Sequence, residues 1–224
     1  MPKKRKESGS RKVEKKIYIL CEGADKHSEY AYLGALIRDT PIKGDKVQIE
    51  LAPTKYNTGR ELVEEASKKI ERKFKGIDEA WVVYDQDGYT LHKETFESAK
   101  QKDVKIAFSA TAFEFWILLH FEYTTKHFPK SEDIIKELKD KDFIDYAKNA
   151  QNIYLLTKEK LAEAKQRAQK LREEVEKYDG IKRIYERNPY TNLDLLIEEI
   201  QNPDFCKDNE TFLEAFWENF YKQF

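Results

Sequence analysis

Two short stretches of this chain combine residue types and spacing suited to phosphate chemistry. Residues 81–89 read WVVYDQDGY: an apolar run ends at Asp85, and a second carboxylate, Asp87, stands immediately before Gly88. Upstream, residues 16–23 read KIYILCEG, where another apolar run ends in Glu22 and Gly23. Runs of β-branched and aromatic residues of this length predict buried parallel strands. Open α/β sheets bind ligands at the carboxyl ends of such strands. Two carboxylates one residue apart at that edge form a seat for a hard divalent cation, Mg²⁺ or Mn²⁺. Asp and Gly are also ordinary turn formers, so Asp-x-Asp-Gly alone fits a strand exit equally well. The matching acid at the end of a second strand is what favours a metal.

The elements that must position these acids follow from hydrophobic periodicity. After a strand at Ile17 to Cys21, a helix is expected over Asp25 to Thr40 and an alternating, half-exposed strand over Val47 to Leu51. A helix from Gly59 to Lys75, the Asp85/Asp87 strand, a helix near Leu91 to Lys102 and a fourth strand over Val104 to Ser109 complete the series. Alternation of this kind predicts an α/β fold, a mainly parallel four-stranded sheet with helices on both faces. Between Ala112 and Glu122 the segment FEFWILLHF is apolar almost all round, which predicts a buried helix. Glu114 is anomalous there, because a carboxylate in such surroundings costs several kcal/mol unless paired, protonated or metal-bound. A carboxylate favoured by the helix dipole is the structural alternative. His120, on the same apolar helix, is expected to be a satisfied core residue.

The order strand, Glu22-Gly23, βα unit, strand, Asp85-x-Asp87 resembles the Toprim fold. That fold is the metal-binding catalytic domain of topoisomerases, bacterial primases and the overcoming-lysogenization-defect nucleases. With ATAFEFWILLHFE at Ala110 to Glu122 and RNPYTNLDLL at Arg187 to Leu196, the ordered set resembles the RloB family of small Toprim-type proteins tied to bacteriophage defence. The resemblance implies a Mg-dependent endonuclease hydrolysing nucleic-acid phosphodiester bonds, of RNA such as tRNA in preference or else of DNA, in abortive infection. Asp85 and Asp87 would hold the first ion, with Glu22 sharing it or acting as general base, and Glu114 would complete a second site. Many Toprim defence nucleases work beside a companion ATPase. No Gly-rich phosphate loop followed by Lys-Ser/Thr occurs here, so nucleotide-driven control would come from a partner.

Two alternatives remain open from the residues. YDQDG and IAFSA also match the Asp-x-Asp and Ser-bearing strands of a haloacid-dehalogenase-like phosphatase, with Asp85 as nucleophile and Asp87 as acid/base. That reading leaves Glu22-Gly23 unexplained. A non-catalytic Toprim-fold regulatory or binding subunit would be favoured by loss of a core acid, yet Glu22, Asp85 and Asp87 are all present.

Composition narrows the classes. With 40% hydrophobic and 37% charged residues, the chain is expected to be globular and cytoplasmic. No apolar run approaches the roughly 20 residues a membrane span requires, and no secretory core is recognisable. Cys21 and Cys206 lack metal-ligand spacing, which argues against a zinc module or disulfide framework. Residues 1–16 hold eight Lys or Arg and are expected to form a basic flexible arm able to contact nucleic-acid phosphates. Residues 17–125 are then the Toprim-like catalytic domain and 126–224 a helical region packed on it.

Within that last region one long helix is expected from Asn152. Leu161, Ala164, Ala168, Leu171, Val175 and Tyr178 form its apolar seam, a surface for substrate contact or for a homo-oligomer. Arg183 and Arg187 belong, on this reading, to a solvated face of mixed charge. Thr191 and Asp194 have capping-box spacing, and Phe212, Phe216 and Phe220 recur at i, i+4 and i+8 as core or interface.

Overall fold

The structure, a computed structural model, describes residues 15–22, 28–41, 47–71, 78–86, 88, 90–144, 146, 151–179, 183–202, 205 and 209–222. Asp87, Gly23, Cys206 and the arm through residue 14 lie outside the described residues. The first half alternates as expected: β1 Lys15–Cys21, α1 Ser28–Asp39, β2 Val47–Ala52, α2 Gly59–Glu71, β3 Glu79–Asp85, α3 His92–Gln101 and β4 Val104–Ala110. Then come α4 Glu114–Leu119, α5 Ser131–Asp140, α6 Ile153–Thr157, α7 Leu161–Asp179, β5 Tyr190–Thr191, α8 Leu193–Gln201 and α9 Glu210–Lys222. The sheet has the order β2-β1-β3-β4-β5, with β1 to β4 parallel and β5 antiparallel to β4.

Burial explains why β1 and β3 sit inside the sheet. Ile17, Ile19 and Cys21, with Trp81 and Val83, enter a core formed with α1, α4, α5, α6, α7 and α8. Tyr18, Leu20, Ala80, Val82 and Tyr84 enter the opposite core, under α2 and α3. Both faces of these strands are thus removed from water, the condition under which a parallel strand reads as a continuous apolar run. β2 is the edge strand and alternates instead, with Val47 buried and Gln48 and Glu50 exposed. At the start of α2, a Cβ on Gly59 would approach Cζ of Tyr84 to 2.8 Å, so that helix lies directly on the residue preceding Asp85.

The sheet has five strands rather than four. The fifth, Tyr190–Thr191, comes from the region after residue 125 and is only two residues long, too short to leave a periodic signature. Asn192 extends its role with a side chain: Nδ2 donates to Ile106 O (2.9 Å), and Oδ1 accepts Phe108 N–H (2.7 Å). The Asn192 backbone N–H donates to Phe108 O at 3.2 Å. An amide side chain thereby satisfies β4 groups that would otherwise be buried without partners, each worth about 1–3 kcal/mol if lost.

The expected long helix is interrupted by a 3₁₀ turn, Lys158–Lys160, between α6 and α7. Its seam residues Leu161, Ala164, Ala168 and Leu171 are buried within the chain, where α7 packs on α4. Arg187 is 3% exposed, so it does not belong to a solvated face. In α9, Phe220 stacks on Phe96 (5.0 Å between centroids) and Trp217 meets Trp81 edge-on (5.5 Å). Those contacts place the aromatic tail in the core.

Thr191 and Asp194 do not form a capping box. Thr191 lies in β5, and Asp194 is buried in an ion pair with Arg172, whose Nη2 donates to Oδ2 at 2.7 Å and whose Nη1 donates to Oδ1 and to Thr191 O (3.0 Å). Burial opposes the charge on Arg172, but the adjacent Asp194 carboxylate outweighs it and raises the guanidinium pKa. Loss of a helix cap costs about 1 kcal/mol, whereas stranding one partner of a buried pair costs about 3–5 kcal/mol. Asp194→Ala is therefore expected to lower unfolding free energy by about 3–5 kcal/mol in urea denaturation, and a loss near 1 kcal/mol would restore the capping account.

Candidate functional site

Glu22 and Asp85 end adjacent strands at the same edge. Cys21 pairs with Val83 across β1 and β3, and the Glu22 N–H extends the ladder to Val83 O at 2.9 Å. By register Glu22 then falls beside Tyr84, one residue before Asp85. Both acids are half-buried. Asp85 faces Ser109 across β4, and Gln86 continues past it, its N–H donating to Ser109 O at 3.1 Å. Beyond, Gly88 turns the chain with φ +66°, a conformation that suits glycine.

The start of α4 closes over this edge. The Phe113 N–H donates to Asp85 Oδ2 at 3.3 Å. Glu114, the next residue, is 3% exposed and accepts the Tyr146 hydroxyl on Oε1 at 2.8 Å. Burial first, then the Glu114 charge, drives the Tyr146 pKa upward, so that hydroxyl keeps its proton and donates. Glu114 is accordingly held by a side chain 32 residues away.

A second wall comes from the Asn188 to Asn192 segment. Because β5 runs antiparallel to β4, with Ala110 opposite Tyr190 and Ser109 opposite Thr191, the residues before it pass over the carboxyl edge. Asn188 Nδ2 donates to Thr111 Oγ1 (2.7 Å) and Phe128 O (2.8 Å), and its Oδ1 accepts Phe128 N–H (3.2 Å). Ser109 and Thr191 share a hydroxyl hydrogen bond of 2.9 Å, and Gln86 Nε2 donates to Tyr185 O at 2.8 Å. Residue type alone gave this segment no role; its work is to fix β4 and the Asp85 turn. The RNPYTN spelling was visible in the sequence, but its partners, about 80 residues upstream, were not.

Other reactive groups are disarmed. Burial, then the charge of Glu29, pushes the Cys21 thiol well above its usual range, which leaves little thiolate to act as nucleophile. His120 donates from Nδ1 to Trp116 O (3.0 Å), so its Nε2 accepts the Tyr32 hydroxyl (3.1 Å). It is the neutral core residue expected. At the opposite, amino end of the sheet, burial tends to raise the Glu79 pKa, but Lys105 (2.8 Å) and Lys15 (3.0 Å) hold it below the usual range.

Glu22, Asp85 and Asp87 would supply the hard oxygen donors that Mg²⁺ prefers. Two half-buried carboxylates ending neighbouring strands fit such an ion in chemistry and access. Among the described residues no three Asp, Glu, His or Cys side chains gather closely enough to form a metal cage; Asp87 is outside that set.

A model of the RloB-like protein family matches residues 17–200. The chain belongs to the RloB-like family. That match takes in both acidic strand ends, α4 and the Asn188 to Asn192 segment. No curated protein and no solved structure matches the chain. Among the described residues, no helix is long and apolar enough to cross a membrane.

His120 generates a pH prediction. Burial lowers its pKa to about 4, against the opposing hydrogen bond to Trp116, while the unfolded value is about 6.5. Between those values the unfolded chain binds the proton more readily, so the stabilisation is complete above about pH 6.5 and fades as pH falls through the folded value. Wild type should lose about 3 kcal/mol more than His120→Gln on going from pH 7 to pH 4 in urea titrations. Parallel losses in the two proteins would show that His120 is not the titrating group.

Proposed function

We propose that this chain is a metal-dependent nuclease acting in the cytoplasm on RNA such as tRNA, or on DNA, as part of anti-phage defence. The observation that carries the proposal is the register of β1 and β3, which sets Glu22 and Asp85 at one edge of adjacent parallel strands. Membership of the RloB-like family supports it. In this reading Asp85 and Asp87 hold Mg²⁺ or Mn²⁺, Glu22 shares the ion or takes the proton of the attacking water, and a companion ATPase or a second copy supplies control.

Once bound, Mg²⁺ offsets charge on the attacking and leaving oxygens of a phosphodiester and lowers the pKa of a bound water. The chain's own part is orientation. Phe113 N–H fixes one oxygen of Asp85, and the β1–β3 ladder sets the height of Glu22. The phosphatase alternative needs the Ser109 hydroxyl for phosphate, yet Ser109 is 5% exposed and bonded to Thr191.

Asp85→Asn is expected to reduce cleavage of RNA or DNA at least about 100-fold, the loss of a few kcal/mol of transition-state stabilisation, while unfolding free energy stays within about 1 kcal/mol. Glu22→Gln should behave alike, and EDTA should abolish wild-type cleavage. Full nuclease activity in the Asp85→Asn protein would sink the mechanism. Phosphomonoester turnover that is indifferent to Glu22→Gln would instead point to the phosphatase.

A further inference from the structure

Phe113 and Glu114, neighbours at the start of α4, tie that turn to two other elements. Phe113 reaches the acidic edge directly, through its N–H on Asp85 Oδ2 at 3.3 Å. Glu114 reaches the start of α1 through two buried hydroxyls. Its Oε1 accepts from Tyr146, and the Tyr146 oxygen lies 3.2 Å from Oγ of Ser28. Since the Tyr146 proton is committed to Glu114, Ser28 is the donor in that second bond. Ser28 is the first residue of α1.

A ligand to a hydrated cation has to present its carboxylate to a space that water and ion can enter. Glu114 is 3% exposed and Tyr146 0%, whereas Glu22 and Asp85 are half-buried. We infer that Glu114 is a positioning residue, which through Tyr146 and Ser28 ties the first turn of α4 to the start of α1 and so holds the Phe113 N–H on Asp85, and that it ligates no ion. The inference rests on the metal-dependent reading of the same edge. It replaces a second-ion role for Glu114 with a mechanical one: α4 is a strut whose first turn braces Asp85 and is itself braced by a hydroxyl relay to α1.

The two roles differ in what they require. A ligand needs the carboxylate charge and no tyrosine; a strut needs an acceptor at 114 and a donor at 146. Mn²⁺ binding by calorimetry to the full chain separates them, using Glu114→Gln, Tyr146→Phe, Ser28→Ala and the Tyr146→Phe/Ser28→Ala double variant, with thermal unfolding recorded alongside. Groups that orient metal ligands typically change affinity about 10- to 100-fold when removed. Tyr146→Phe and Ser28→Ala should each weaken Mn²⁺ about 10-fold at unchanged stoichiometry, and the double variant should be no weaker than Tyr146→Phe alone. Glu114→Gln keeps an acceptor for Tyr146 and should retain stoichiometry and most of the affinity. In cleavage assays Tyr146→Phe and Ser28→Ala should lower kcat and leave KM unchanged.

If Glu114→Gln loses an equivalent of Mn²⁺ while Tyr146→Phe binds as wild type, Glu114 is a ligand and the inference is wrong. Lowered melting temperatures with wild-type Mn²⁺ affinity in every folded variant would reduce the relay to a purely structural one, which also overturns it. Tyr146→Phe is nearly isosteric and Ser28→Ala small, so a folding failure of Glu114→Gln leaves the decision with those two. A wild-type chain that binds Mn²⁺ and cleaves nothing defeats the nuclease reading alone. A wild-type chain that binds no Mn²⁺ defeats both.

Discussion

The outer edge of β4 must be satisfied, and much of the molecule answers to that constraint. A parallel strand beside the acidic edge would present a row of unpaired backbone groups, a liability for solubility and for order. Here the chain returns some 80 residues later with two strand residues and an amide, Asn192, that together complete the pairing. The return is itself fastened from behind by Arg172, which binds both Asp194 and the Thr191 carbonyl. A buried guanidinium, a carbonyl and a carboxylate thus set where Ser109 stands, and Ser109 is the register partner of Asp85.

Charge is sorted along the strands. At the amino end, Lys15 and Lys105 converge on Glu79, and Lys15 also reaches the fully buried Glu199. Those acids are neutralised within the chain and serve packing. At the carboxyl end, Glu22 and Asp85 are held by backbone N–H groups and strand register, while Glu114 has a neutral hydroxyl as its described partner. The same residue types are therefore structural at one end of the sheet and suited to a cation at the other.

That division explains how much was legible in advance. β1, β3 and β4 were readable because burial on both faces writes an unbroken apolar run, and Glu22 and Asp85 stood out because each ends such a run. β5 was unreadable because two residues carry no period, and Thr191 with Asp194 imitated a helix start since capping and ion pairing use the same side chains. Glu114 could be recognised as an anomaly but not interpreted. Its partner Tyr146 lies in the polar stretch DFIDYAKNAQ, where nothing local marks a tyrosine destined for full burial. Arg187 was read with the surface charges around it, since the spacing of basic residues cannot reveal which of them the fold encloses.

The late closure of β4 has a consequence for synthesis. Glu22, Asp85 and Glu114 all precede residue 115, so a ribosome has made them about 70 residues before it reaches Asn188. The hydrogen bonds that fix β4 beside the acidic edge are supplied by residues 188–192, and Tyr146, on which Glu114 leans, also comes later. A nascent or prematurely terminated chain therefore carries these side chains without their later partners, which arrive only as residues 146–192 emerge. The order of the chain thus puts a delay between making the acidic edge and fixing it.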